Sequence, residues 1–303
     1  MQGRFLHAGK VKNVFQVGEN ELEFEFSNRV SVFDKIIPSE IPFKGETLCR
    51  TSAYWFKICE GKGINTHFLS VSAPNKMRVK KVDIISDYSK ISTNTRNYLI
   101  PLEVIVRYYA YGSLMDRIQQ GKVKPEQLGF PAGHKVENGE ELPEPFFEAT
   151  TKLEKTDRPI SNDEAMKISG MTLEEFRELK ETSLKIDEEI ASRVRQRGLI
   201  HVDGKKEFAF DAERTLTIVD TFGTADEDRW WNAKEFKEGK YVEKSKEFVR
   251  QYYREIGYHE LLYKAREEGM PEPDIPPLPH DKVEETSGIY VRLFEQLTGE
   301  SFR

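Results

Sequence analysis

A regular alternation of apolar and polar residues predicts a sheet-rich first third of the chain. One six-residue stretch alternates strictly and places Leu22, Phe24 and Phe26 on one face, which is the period of a half-buried β-strand. Turn residues at 18–20 separate it from a second strand predicted at 12–17, so the two form a hairpin. The same criteria predict a helix at 45–60 and further strands at 67–71, 77–85 and 100–111.

Helical periodicity dominates the second half of the chain. Thr172 and Glu175 form a capping box ahead of apolar residues that recur every three to four positions, and Gly198 is typical of the end of such a helix. The preceding loop-rich stretch at 122–145 predicts either a linker or an active-site flap. The remaining predicted elements are a hairpin of strands 199–211 and 216–220, helices at 241–268 and 283–297, and a proline-rich connector at 271–279.

The composition excludes several classes of protein. Of 303 residues, 38% are hydrophobic and 32% are charged, with a net charge of −6, which indicates a globular chain long enough for two domains. A mildly acidic chain does not favour non-specific nucleic-acid binding. No apolar run approaches the ~18 residues of a membrane helix, and the N-terminus has no signal-peptide pattern. We therefore expect a cytoplasmic protein that binds neither nucleic acid nor membrane. The sequence leaves open whether the protein forms a homo-oligomer.

The two cysteines carry no evident chemistry. Cys49 and Cys59 lie on one predicted helix and do not have the spacing of metal ligands. Buried or idle thiols are the interpretation that this pattern favours.

A glycine and two lysines near the N-terminus have the chemistry of a phosphate-binding turn. Gly9 lets a backbone approach a phosphate closely, and Lys10 and Lys12 supply positive charge. The motif is neither a Walker loop nor a dinucleotide fingerprint. A solvated turn at the start of a strand explains it equally well.

Acidic residues on the late hairpin have the chemistry of a metal site. Asp203, Lys205 and Glu207 share one face of a predicted strand because they are two residues apart. Asp220 ends the partner strand, so a hairpin can bring it within one cation's reach of Glu207. Hard oxygen ligands for Mg²⁺ and lysines for phosphates are what a nucleoside triphosphate site needs. An ordinary solvent-facing strand surface is the alternative.

Three shorter segments add polar groups to this picture. Arg107 ends a predicted buried strand and Ser113 opens a helix, which together suit a phosphate; an ordinary strand-to-helix turn is the alternative. The other two segments are Ser31 with Asp34, which an Asx or Ser turn also explains, and Thr150, Thr151 and Lys152, which suit a carboxylate ligand but also a capped turn.

Taken together and in order, these segments resemble the SAICAR synthetase family of purine biosynthesis. The resemblance runs nearly from end to end. Its most specific stretches are LEVIVR at 102–107 and GLIHVDGKKEF at 198–208, and it also includes GKVKNVFQV at 9–17, NRVSVFD at 28–34, LPEPFFEATTK at 142–152 and YVRLFEQLTGESF at 290–302.

The resemblance implies an ATP-dependent ligase. In the family reaction, the carboxylate of carboxyaminoimidazole ribonucleotide (CAIR) is joined to the amine of L-aspartate, and the products are SAICAR, ADP and phosphate. Mg²⁺ is the implied metal. The family fold is α+β with two lobes: a kinase- or ATP-grasp-like antiparallel-sheet lobe, here residues 1–105, and a larger mixed lobe, here residues 106–303, with ATP in the cleft between them.

The resemblance also implies roles for individual residues. The ATP-side residues are Gly9, Lys10, Lys12, Glu103, Val104 and Lys205, and the metal ligands are Glu207 and Asp220. The residues on the side of the ribonucleotide and aspartate are Ser31, Asp34, Arg107, Ser113, Thr151, Lys152 and Arg229, of which Arg107 and Ser113 would hold the 5′-phosphate. Lys205, Asp34 and Lys152 are the expected catalytic residues.

Three departures from the family pattern leave other functions open. An acidic residue is absent at Thr221, the usual His-Asp after Lys152 is replaced at Asp157-Arg158, and Asn13 follows the second lysine of the turn. A diverged ligase with another amine or acid is one alternative, and a small-molecule kinase is a second. A non-catalytic nucleotide-binding module is a third, disfavoured because it would need no metal ligands.

Overall fold

The computed structural model describes residues 3–241 and 247–303 of the chain. Its strands are β1 (Arg4–Ala8), β2 (Lys12–Gln16), β3 (Glu21–Phe26), β4 (Arg29–Val32), β5 (Lys35–Glu40), β6 (Phe68–Ala73), β7 (Lys76–Lys80), β8 (Tyr98–Leu99), β9 (Leu102–Tyr109), β10 (Glu141–Thr151), β11 (Pro159–Ile160), β12 (Leu199–Phe210), β13 (Leu216–Val219) and β14 (Asp228–Asn232). Its α-helices are α1 (Lys44–Gly61), α2 (Ser113–Gln119), α3 (Asn162–Ser169), α4 (Leu173–Arg195), α5 (Ala233–Lys237), α6 (Glu247–Glu255), α7 (Tyr258–Glu267) and α8 (His280–Thr298).

The first part of the chain forms an antiparallel sheet of five strands in the order β1-β2-β3-β7-β6. The predicted hairpin is confirmed, because β2 pairs with β3 and Val14 lies opposite Phe24. The apolar face of the sheet is buried against α1, the helix predicted at 45–60. The strand predicted at 77–85 is shorter than expected and ends at Lys80.

The second sheet has seven strands and is built around β12. The strand order is β11-β10-β9-β12-β13, and β8 and β14 also pair with β12. β12 is twelve residues long, so its two ends have different neighbours. Helix α4 packs behind it through the apolar stripe that the sequence predicts, and the capping box of Thr172 and Glu175 is confirmed.

One hydrophobic core joins the two sheets. It contains Phe24 and Trp55 from the first part of the chain together with Val104 and Phe208 from the second. The domain boundary expected at residue 105 lies within β9 and stays a prediction.

The C-terminal helices differ from expectation in one place. The helix predicted at 241–268 is wrong as a single element, since α6 ends at Glu255 and α7 begins at Tyr258. Gly257 separates them with a φ of 75°, a left-handed value that does not continue a helix. Residues 242–246 lie outside the described residues. The last helix, α8, is confirmed and is longer than predicted.

The loop-rich stretch at 122–145 packs against the body of the protein. Val123, Leu128 and Phe130 form a small apolar cluster with Ala110 and Leu114. The end of the stretch belongs to β10. Within the described ranges, no helix combines the length and apolar character that a membrane span requires.

Candidate active site

Two neighbouring strands present charged side chains to one cavity. β12 pairs with β9, with Asp203 opposite Arg107 and Lys205 opposite Ile105. Because side chains alternate between the faces of a strand, these four residues share a face. They line a cavity of about 530 Å³, which Glu103 also lines. The predicted common face of Asp203 and Lys205 is therefore present in the fold.

A cluster of lysines and carboxylates lies at one end of this face. The Nζ atom of Lys205 is 2.9 Å from an Oε1 of Glu103, 3.0 Å from Oε2 of Glu227 and 3.6 Å from Oε1 of Glu207. The Nζ atom of Lys152, at the end of β10, is 2.7 Å from the same Glu207 oxygen. Two ammonium groups and three carboxylates therefore meet at one point of the cleft.

The charges of this cluster reinforce one another. Burial by itself would raise the pKa of Glu207, but Lys152 and Lys205 outweigh it and the pKa of this carboxyl is lowered. Burial likewise opposes the charge of Lys205, yet Glu227, Glu207 and Glu103 hold its pKa well above the usual value. The lowered pKa of Glu207 and the raised pKa of Lys205 both favour the charged forms, so these two groups are ionised at neutral pH.

Lys12 and Asp220 connect the two sheets across the cleft. Asp220 follows β13 with a φ of 60°, and its carboxylate forms an ion pair with the ammonium of Lys12 on β2. Burial lowers the pKa of Lys12 to about 8, although Glu207 and Glu227 oppose the shift. The predicted lysine turn therefore lies beside the predicted acidic hairpin.

The turn itself is held by short-range contacts. The amide of Gly9 donates to the main-chain carbonyl of Lys12 at 2.7 Å. The Nζ atom of Lys10 is 2.5 Å from Oδ1 of Asp34, and both side chains are exposed. Buried Ser31 lines the same cavity as Lys10 and Asp34. Asn13, the third departure from the family pattern, donates to Glu25 on the neighbouring strand at 3.2 Å.

Two arginines lie at the other end of the cavity. Arg107 Nε is 2.6 Å from Oε1 of Glu148, and its Nη1 is 3.1 Å from Oδ2 of Asp203. Its Nη2 donates to the hydroxyl of Ser113 at 3.3 Å. Arg229 forms an ion pair with the same Asp203. Two guanidinium groups therefore flank one carboxylate, and guanidinium forks of this kind suit the bidentate binding of an anion.

A second cavity, of about 770 Å³, adjoins this end. Asp34, Ser113, Arg229 and Arg250 line both cavities, so the two form one groove. Gly112 lies where a Cβ would approach the Arg229 guanidinium to 3.1 Å, at a φ of 57°. A glycine is required at this position by both the backbone and the close approach of the arginine.

Two of the predicted site residues have their side chains elsewhere. Val104 is buried in the main hydrophobic core on the opposite face of β9. Thr151 is fully buried, and its Oγ1 accepts a hydrogen bond from the amide of Arg158 at 3.2 Å. Its neighbour Lys152, which directly follows β10, is the residue that reaches the cleft.

The departures at positions 158 and 221 have different surroundings. Arg158 pairs with Glu164 at 2.6 Å and with Glu154 at 3.2 Å on the exposed side of the molecule. The hydroxyl of Thr221, in contrast, lies 3.5 Å from Oε1 of Glu227, which belongs to the cleft cluster.

Several site residues are not recognisable from the sequence pattern. Glu148 pairs with both Arg107 and Arg117, at 2.6 Å each, but nothing in the spacing along β10 distinguishes it. Glu227 lies within a run of three acids, which by itself is typical of a solvated surface. Arg250 has no nearby motif. Their positions depend on elements that meet only in the folded chain.

The opposite face of β12 carries a buried polar network. The ammonium of Lys206 contacts a carboxylate oxygen of Asp187 on α4, and His201 Nε2 lies 2.7 Å from Oδ2 of Asp228. Asp187, His201 and Asp228 present atoms of metal-ligand type within 4.8 Å of one another. Lys206 already supplies the positive charge there, so we interpret the network as structural.

Comparison with known proteins identifies the family of this chain. A family model described as SAICAR synthetase matches residues 5–264 of the chain. A phosphoribosylaminoimidazole-succinocarboxamide synthase from Thermoplasma volcanium is 54% identical over 299 residues, which cover 99% of this chain and 100% of that protein.

Solved structures have the same fold. The SAICAR synthase from Saccharomyces cerevisiae in complex with SAICAR superposes with a TM-score of 0.77 at 24% identity, covering 99% of this chain and 96% of that one. A type-2 SAICAR synthetase in complex with ADP has a TM-score of 0.69 at 26% identity, covering 98% and 99%. The predicted two-lobed α+β fold is thereby confirmed.

Proposed function

The chain belongs to the SAICAR synthetase family, and from this premise we propose how its cleft performs the family reaction. The protein is an ATP-dependent carbon–nitrogen ligase of purine biosynthesis that joins CAIR to L-aspartate and forms SAICAR, ADP and phosphate. The observation that carries the assignment of the site is the meeting of Lys12, from the glycine turn, with Asp220 and the cluster around Glu207.

The chemistry requires activation of a carboxylate, which is a poor electrophile. The γ-phosphoryl group of ATP passes to a carboxylate oxygen of CAIR, giving an acyl phosphate and ADP. The amine of aspartate then attacks the carbonyl carbon, the bond from carbon to the phosphate oxygen breaks, and the nitrogen loses a proton. The protein mainly positions three anionic reactants and offsets their charge.

We assign ATP to the end of the cleft where the lysines converge. Gly9, Lys10, Lys12 and Lys205 would contact the phosphates, since the glycine permits close approach and the lysines supply charge. Beside them, a small apolar cluster is suited to the base, with Glu103 and the backbone of Val104 along its edge on β9. This cluster consists of Leu99, Ala209 and Val219 with Val82 and Leu153.

The donor set at this end suits Mg²⁺. Glu207 is ionised and buried, and Asp220 ends the adjacent strand. Carboxylate oxygens are the protein ligands that Mg²⁺ prefers, and we propose these two residues as its ligands. When bound, the ion would neutralise charge on the phosphate oxygens. Lys12 and Lys152 pair with the same carboxylates and would be free to turn toward phosphate.

We assign the ribonucleotide and aspartate to the arginine end. Arg107 and Ser113 would hold the 5′-phosphate, and Arg229 would face a carboxylate. Asp34 lines both cavities, and Ser31 lines the first of them. Lys152 belongs to the cluster at the lysine end, where we propose that the carboxylate of CAIR meets the γ-phosphate, and Thr151 precedes it in the core. A cytoplasmic location remains a prediction of the sequence, which leaves the oligomeric state open.

A reaction with a panel of amines tests the proposed function. Enzyme, Mg·ATP and CAIR are incubated with L-aspartate, L-glutamate, L-asparagine or no amine, and the products are identified by mass spectrometry. We expect SAICAR and one ADP per SAICAR with aspartate, and little ADP without an amine. Full-rate ADP release without an amine would indicate a kinase, and reaction with another amine alone would indicate a diverged ligase.

The lowered pKa of Lys12 predicts proton uptake when ADP binds. Between pH 8 and 10.5 the buried amine is neutral in the folded protein, and phosphate charge favours its ammonium form. Above pH 8, Mg·ADP binding should therefore take up close to one proton, and at pH 7 almost none. Calorimetry in two buffers with different ionisation enthalpies measures the uptake. Lys12→Arg should abolish it because arginine stays charged; equal uptake by this variant would contradict the assignment.

A further inference from the structure

The acidic triplet at 226–228 lines the cleft cavity, and Glu227 is the member whose carboxylate pairs with a lysine of the cleft cluster. Its neighbour Asp226 is held by the ammonium of Lys44 at 2.7 Å and by the hydroxyl of Tyr290 at 2.6 Å. The carboxylate of Asp228 points inward to His201 and also accepts a hydrogen bond from the amide of Gly223. The carboxylate of Glu227 instead lies 3.0 Å from Lys205.

The loop that carries Glu227 is rigidly placed. Gly223 has a φ of 66° and packs so closely on the indole of Trp55 that a Cβ there would approach the ring to 2.6 Å. The carbonyl of Thr224 accepts a hydrogen bond from the indole N–H of Trp230 at 3.1 Å. The indole N–H of Trp55 donates a hydrogen bond to the carbonyl of Gly223 at 2.9 Å. These contacts fix the loop on both sides of Glu227 and aim its side chain at Lys205.

Thr221 lies at the same place. Its hydroxyl is 3.5 Å from the second oxygen of the Glu227 carboxylate. An acid at position 221, which the family pattern leads one to expect and which this chain lacks, would put its charge next to that of Glu227. The carboxylate that is absent at position 221 is therefore supplied at the same place in the cleft by Glu227, six residues later in the chain.

We propose that Glu227 is the third carboxylate of the metal and phosphate centre, in place of the acid absent at position 221. In the nucleotide-free protein it holds Lys205, and with Mg·ATP bound it supplies an oxygen ligand to the metal while Lys205 turns to the phosphates. This inference rests on the proposed function, because it assumes that Glu207 and Asp220 face the same ion.

Calorimetric titration of ADP with and without MgCl₂ tests the role of Glu227. Glu227→Gln keeps the shape and an acceptor for Lys205 but removes the charge. We expect the variant to bind Mg·ADP about 10- to 100-fold more weakly, the range seen when groups around a metal are lost, and to bind metal-free ADP at least as tightly as wild type. The variant should therefore differ from wild type in how strongly Mg²⁺ increases its affinity for ADP.

A charge relocation and a matched control complete the experiment. Thr221→Glu combined with Glu227→Gln restores the acid at the other position and should regain most of the lost Mg·ADP affinity. Glu238→Gln, at an exposed glutamate paired with Lys240, should behave as wild type.

Each contrary outcome has a distinct meaning. Unchanged Mg·ADP affinity in Glu227→Gln, or an equal loss with and without metal, overturns the metal role of Glu227, and failure of the relocated acid overturns its equivalence with position 221. A wild-type protein that does not bind ADP would instead refute the proposed function.

Discussion

We expect turnover to fall about 1000-fold when Glu207 is changed to glutamine, while binding of CAIR stays close to that of the wild type. Glutamine has the same shape but no charge, so the variant loses a proposed metal ligand and the counter-charge of Lys152 and Lys205. Removing one preorganised electrostatic group from an active site typically costs ~10²–10³-fold in turnover. Steady-state kinetics give the turnover, and calorimetry gives the affinity for CAIR.

Ser113→Ala is the contrasting variant at the other end of the cleft. It removes the hydroxyl that Arg107 contacts and leaves every charge in place. We expect KM for CAIR to rise several-fold with little change in kcat, because the contact is made equally in the ground state and the transition state. If both variants changed both constants to the same extent, the division of the cleft into a metal end and a ribonucleotide end would be wrong.

We expect Lys206→Met to destabilise the protein by about 3–5 kcal/mol, the usual cost of removing one partner of a buried ion pair. Lys206 and Asp187 are completely buried, so the variant leaves a carboxylate in the core without its counter-charge. Urea denaturation measures the change in unfolding free energy. Lys185→Met on α4 is the matched control, and since Lys185 is exposed its effect should stay within ~0.5 kcal/mol.

The pH dependence of this loss has a definite sign. Burial raises the pKa of Asp187 even with Lys206 present, and without Lys206 the carboxyl favours its neutral form still more. Protonation removes the uncompensated charge, so the difference between variant and wild type should shrink as the pH is lowered. Replacing both partners, as Lys206→Met with Asp187→Leu, should recover most of the stability. A loss in the double variant as large as in the single one would show that packing, not charge, causes the effect.

The sequence predicts the elements better than it predicts their ends. The strict alternation at 21–26 and the capping box at Thr172 each specify an element through local chemistry, and both are confirmed. The prediction of a continuous helix at 241–268 is wrong. The helical spacing of the apolar residues continues across Gly257, but the backbone leaves the helical conformation at that residue. Helix propensity summed over a window of residues does not reveal a single residue with a left-handed backbone conformation.

The same contrast holds for the cleft. Glycine and lysine in the turn, and carboxylates at alternate positions of a strand, express the chemistry of a phosphate and metal site in residue type alone. Lys206 lies on the same face of β12 as the buried Phe208, where a charge is unexpected. Its partner on α4 becomes visible only when the helix packs behind the strand.

The sequence by itself determined most of the longer strands and helices and the residue types available for catalysis, because these depend on interactions between near neighbours. Tertiary structure alone decided which acid meets which lysine. Lys12 and Asp220 are 208 positions apart, and Glu227 reaches Lys205 because Gly223 packs on Trp55 and the two acids beside Glu227 are held in the core. Charge pairing acts over a few ångströms of space, and no spacing along the chain specifies that distance.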